Sequence, residues 1–245
     1  MAGRPPPKRR KRRRWPWAIA SLLVLAATAF GAWQFYLRAE DSAARLDGSD
    51  LEDAALLPED MGDGWGETSR DVTVATHAGL RTDASNEFDC ADSGELTATE
   101  ADLVRQHGRA QLSQVLEDQA GGSVSLELAA FDDDPSAVAM AGIFSGPIIT
   151  ECMRTGILQE LAADGITATA ELVDRPTSVL GGLARTLVVH TPDTDLSLHI
   201  LVAAEGRGVV VLVALGGQTG FTPESVDALA TTVLERLRLS PAAAA

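Results

Sequence analysis

The sequence predicts an α+β domain, an antiparallel β-sheet packed by helices, preceded by one transmembrane helix. Three observations predict it. Residues 17–37 run for 21 positions without a charge. Six segments downstream alternate or stay apolar over strand length. Two cap-proline pairs, Asp134-Pro135 and Thr222-Pro223, open stretches of helical length. The order is strand–strand–helix, then four strands and a helix.

At 1.5 Å rise per residue, Trp17–Leu37 spans about 31 Å, the thickness of a hydrocarbon core. Trp17, with Trp15, marks one end, and Trp33 and Tyr36 mark the other, where amphipathic rings prefer the headgroup level. Residues 1–16 form a basic tail of charge +8, which leaves −23 on the rest of a chain whose net charge is −15. The positive-inside rule therefore predicts a cytoplasmic N-terminus and an exported acidic body at the plasma membrane. A cleaved signal peptide is the alternative, but its apolar region is shorter and its cleavage site small; here Trp33, Phe35 and Tyr36 crowd that position.

Residues 38–55 read as an acidic linker with one short helix around Leu51–Leu57. The compact domain is expected over 56–239, with 240–245 a frayed tail. Ala110–Glu117 and Ser123–Phe131 alternate around a hairpin loop, Asp118–Gly122. A helix capped by Asp134 should break at Gly146-Pro147 and resume toward Arg154. Strands are expected at Thr167–Val173, Leu183–His190, Leu196–Ala204 and Val209–Leu215; the last is apolar throughout and should be central and covered on both faces. In the final helix Val226, Leu229, Val233, Leu234 and Leu237 share one face.

Function is bounded mainly by exclusion. The last lysine is Lys11, so a P-loop, a pyridoxal Schiff base, a Ser-Lys pair and a kinase strand lysine have no candidate in the exported part. An acidic body is poor bait for nucleic acid. With Thr191–Thr194 as the turn, His190 faces Asp195 and His199 faces Thr186, which separates the histidines by about 13 Å, too far for one metal ion. Asp132-Asp133-Asp134 lacks the spacing of a calcium loop, and helix capping explains it more simply. Ser145 stands in the wrong order for a nucleophile elbow. No catalytic, metal or cofactor set is expected, and any pocket should be lined by aliphatic side chains. Trp65 is the one exported tryptophan; it either packs at the edge of the core or lines a ligand cleft. Cys90 and Cys152, the two thiols, lie in the exported part and are expected to form a disulfide.

An anchor followed by Leu57-Pro58-Glu59-Asp60-Met61-Gly62 and Trp65, a lone Cys90, a strand ending at Phe131, and a helix carrying Cys152 resembles the actinobacterial sensor domains of the PknH-like extracellular type. The likeness covers about residues 55–239 and implies an exported sheet-and-helix domain with a cleft for an unidentified ligand. The kinase version has two disulfides where only Cys90–Cys152 is available here, and no attached kinase domain is read in this sequence. The resemblance supplies no catalytic residues. The expected function is thus a non-enzymatic, membrane-tethered sensor or binding domain, whose partners are the bilayer and an envelope ligand or membrane-complex protein. A structural accessory subunit of such a complex is the alternative, and an envelope hydrolase a more distant one.

Overall fold

The computed structural model describes residues 46–74, 103, 106–192, 194–216 and 220–239. The expected span with Trp17, Trp33 and Tyr36 lies outside them, as does Cys90. Among the described residues no helix is long and apolar enough to cross a membrane.

Two short helices come first, α1 (Gly48–Ala54) and α2 (Pro58–Met61), then strand β1 (Trp65–Val74). The hairpin β2 (Gly108–Asp118) and β3 (Ser123–Phe131) leads into α3 (Asp134–Phe144) and α4 (Pro147–Ala163). Four strands follow, β4 (Thr169–Arg175), β5 (Leu183–His190), β6 (Asp195–Glu205) and β7 (Gly208–Leu215), before α5 (Pro223–Leu239). All seven strands join one sheet in the order β1-β2-β3-β7-β6-β5-β4, every neighbouring pair antiparallel. The α+β expectation holds. β7 is the middle strand, buried along nearly its whole length, as an all-apolar run requires.

Side-chain alternation splits the core into two layers. Leu112, Leu116, Leu126, Leu201 and Leu212 face α1 and α5. On the other side, Phe131, Leu187, Ile200 and Val202 pack with Met140 and Phe144 of α3 and with α4. The five expected apolar positions of α5 are all buried. Its first turn is closed reciprocally: Ser225 N donates to Thr222 Oγ1 and Thr222 N donates to Ser225 Oγ.

Three expectations are corrected. First, the sheet has a seventh strand, β1, at its edge; it is largely exposed, and a register shift between Glu67 and Ser69 breaks its alternation. Second, the packed body begins before residue 56, since Leu46, Leu51, Ala54, Ala55 and Leu56 are core residues. The segment is pinned there by Gln114, whose side chain bonds both the N–H and the C=O of Leu56, and by Arg236, which donates to Ala55 O and grips Asp60 with two nitrogens. Third, the cap of α3 is Asp133, not Asp134. Asp133 has the extended backbone a cap needs, and its carboxylate accepts from Ser136 N at 2.8 Å, while Asp134 already belongs to the first turn.

Candidate functional site

The Trp65 end of the sheet is built around a tight turn. Asp118 N donates to Gly122 O at 3.0 Å, and Gly122 N returns a bond to Asp118 Oδ1 at 2.6 Å. Gly121 sits at φ 90°, and a side chain on Gly122 would come within 3.1 Å of Trp65 Cη2. Trp65 lies opposite Asp118 across the β1–β2 ladder. Its indole meets the Phe221 ring at 5.6 Å between centroids, tilted 57°. Trp65 is thereby both an edge-of-core residue and a wall of an open hollow of about 740 Å³. Gly64–Gly66 and Thr68 form one side; Glu117–Gly122 form the other. The expected aliphatic lining is not found. Glycine backbone, two carboxylates, an amide and an indole line the hollow, because its walls are the ends of β1 and β2 and the turn that follows β2, not strand interiors.

His199 supports this wall from beneath. It is buried, with Nε2 3.0 Å from Phe221 O and Nδ1 3.0 Å from Thr186 Oγ1. A carbonyl only accepts, so Nε2 carries the hydrogen and Nδ1 accepts from the threonine hydroxyl. Burial holds the imidazole pKa below its ordinary value, and the nearby Arg175 charge adds to that, against the Phe221 bond. His199 thus fixes the Phe221 backbone, and Phe221 fixes Trp65. Nearby, Arg175 and Asp227 form a buried ion pair at 2.9 Å, and Ser178 donates its N–H and hydroxyl to Asp227. Burial works against ionising Asp227, yet the bonds from Ser178 and Arg175 win and its pKa is lowered.

A second polar group lies inside the other layer. Glu127 of β3 accepts from Ser113 Oγ at 2.6 Å and from Gln111 Nε2 at 3.2 Å. Burial pushes its pKa up to about 8 despite both bonds, with the Asp71 charge adding to the rise. A small cavity of about 20 Å³ adjoins it, closed by Phe144, Val209 and Val211. Sequence reading missed this group. Ser123, Ser125 and Glu127 occupy alternate positions of β3, a pattern that signals a solvated face, but that face is buried.

The remaining candidates separate. His190 pairs with Asp195 at 2.9 Å on the exposed β5–β6 turn and shares no site with His199. Asp132 pairs with Arg109, Asp133 caps α3 with His107 3.6 Å away, and Ser145 Oγ donates to Gly142 O. Among the described residues no group of three His, Cys, Asp or Glu could hold a metal ion. Cys152 is half-buried on α4, and no described cysteine is free.

No protein-family model matches the sequence, and no curated protein does. Among solved structures, the chain is similar to the extracellular domain of PknH from Mycobacterium tuberculosis, at 11% identity and a TM-score of 0.50, over 80% of this chain and 99% of that one. A putative uncharacterized protein from Mycobacterium smegmatis also matches at 11% identity and TM-score 0.36, over 75% and 96% of the two chains. The first likeness shows a shared fold; identity this low transfers no residue roles, and the second adds nothing to the fold assignment.

Proposed function

We propose that the chain is a non-enzymatic, extracytoplasmic binding or sensor domain of the cell envelope, tethered to the membrane by Trp17–Leu37. Its ligand occupies the hollow beside Trp65. That hollow is the observation supporting the reading: a concave, rigidly backed surface of ligand-binding size on a sheet folded like the extracellular domain of PknH. The other polar groups are spent on structure. His199 supports a backbone carbonyl, Asp227 neutralises Arg175, and Glu127 is enclosed. The hydroxyls beside them, Thr186, Ser178 and Ser113, are engaged in those same hydrogen bonds, and none of the three lines the hollow.

Native mass spectrometry of the full chain, purified from its own host membranes, tests this. A retained small molecule is expected on the wild type, and the Trp65→Ala protein should lose it while keeping its fold by circular dichroism. A bare wild-type mass, or an adduct indifferent to Trp65→Ala, would count against the hollow as the binding site.

A further inference from the structure

We infer that the hollow beside Trp65 takes a neutral saccharide. The inference rests on the reading of that hollow as the ligand site and adds the class of ligand. Charge narrows the choice first. Glu117 and Asp118 line the hollow and, among the described residues, no basic residue does, so phosphate, sulfate and carboxylate groups meet repulsion. Size narrows it next. About 740 Å³ with a single aromatic wall is far too roomy for an ammonium cage, which encloses its cation closely. An open hollow of that size admits a ligand of several rings lying against the indole.

The lining chemistry is that of a polyol site. An indole offers a flat apolar face to the C–H surface of a pyranose ring. Glu117, Gln119 and Thr68 offer acceptors and donors for hydroxyl groups around that ring. The glycines of both walls carry no side chain, so a ligand can approach the backbone closely there. An apolar or lipid-like ligand would strand these polar groups without partners. The platform is also rigid: Phe221 and Gly122 hold the indole, and His199 holds Phe221. A fixed aromatic wall lowers the ordering cost of binding a flexible oligosaccharide.

The test uses the full chain in nanodiscs free of glycolipids and choline lipids, titrated calorimetrically with maltotriose, chitotriose and a galactotriose, and separately with tetramethylammonium. Saturable binding of at least one trisaccharide is expected. Trp65→Ala should weaken it about tenfold or more, and Trp65→Phe should keep most of it. Gln119→Ala, on the exposed turn, should weaken binding without lowering the melting temperature, which guards against misreading an unfolded Trp65 variant. Trisaccharide binding untouched by both Trp65→Ala and Gln119→Ala would overturn the inference, as would no trisaccharide binding at all. If tetramethylammonium alone binds and Trp65→Ala abolishes it, the ligand class is wrong and the hollow survives as a site. If neither probe binds and no adduct is retained on the purified protein, the site reading fails with it.

Discussion

Glu127 sits between Ser113 and Gln111 with its carboxyl shut away from water, and its pKa of about 8 ties the stability of the fold to pH. Below the ordinary glutamate value of 4.5, folded and unfolded chains both carry the proton and nothing is lost. Between there and about 8 the unfolded chain releases it while the folded chain keeps it, so the fold loses stability as pH rises. Glu127→Gln removes the linkage. It should raise the melting temperature by about 10 °C or more at pH 8 and change it little at pH 4.5. An equal shift at both pH values in a thermal scan would contradict the buried, protonated carboxyl. His199 acts with the opposite sign: its lowered pKa means that acid below its ordinary 6.5 protonates the unfolded chain first and weakens the fold. The Arg175–Asp227 pair has a different signature. Both side chains are more than nine-tenths buried, so Asp227→Ala strands a guanidinium and should cost about 3–5 kcal/mol in urea unfolding. The double variant Arg175→Met/Asp227→Leu should cost less than Asp227→Ala alone. A larger cost for the double variant would mean that the pair matters for its packing and not for its charge.

Elements were legible in the sequence where one physical signal governed a whole segment. Leu183–His190 and Ser123–Phe131 are found with the expected bounds, and β7 is central because an all-apolar strand can be nowhere else. The break at Gly146-Pro147 separates α3 from α4 as expected. β1 was illegible because an exposed edge strand needs no apolar face, and the shift at Glu67/Ser69 destroys what period it has. α1 overlaps the short helix expected around Leu51–Leu57, but it was placed in a linker because Asp47, Asp50, Glu52 and Asp53 dominate its composition, although Leu51 and Ala54 supply a buried face. The candidate site was half legible. Trp65 was singled out, but the hollow depends on the turn Asp118–Gly122 folding back beside it and on His199 reaching Phe221, contacts that no local pattern encodes. α4 carries the element-scale prediction. A Cys90–Cys152 bridge would close a loop of about 62 residues and stabilise the fold by about 4 kcal/mol on the chain-entropy model. Protein denatured without reductant should therefore show no maleimide-reactive thiol, and Cys90→Ser and Cys152→Ser should destabilise equally. Labelling of both thiols would refute the bridge.

At the scale of the whole molecule, the position of the chain's entry into the fold bears on which way the hollow points. Leu46 packs beside Gly208, where β7 starts, and Gly48 lies against Val74, where β1 ends. The hollow is at the opposite end of both strands, where Trp65 starts β1 and Leu215 ends β7 opposite Ser123. Eight residues of β7 at about 3.3 Å each put roughly 25 Å between the two ends. Only residues 38–45 separate the proposed span from Leu46, a tether of at most about 28 Å. On the proposed topology the chain enters the domain at its Leu46 end, and the hollow, at the far end, is expected to face the envelope. Two measurements check this orientation together. A reporter that works only outside the cytoplasm, fused after Ala245, should be active, and reversing the charges of Arg9, Arg10 and Arg12–Arg14 should scramble its orientation. In intact cells, Gln119→Cys at the tip of the hollow should react with a membrane-impermeant maleimide as fast as in purified protein. A silent reporter would reverse the topology; an active reporter with a shielded thiol at position 119 would keep the topology and turn the hollow toward the membrane.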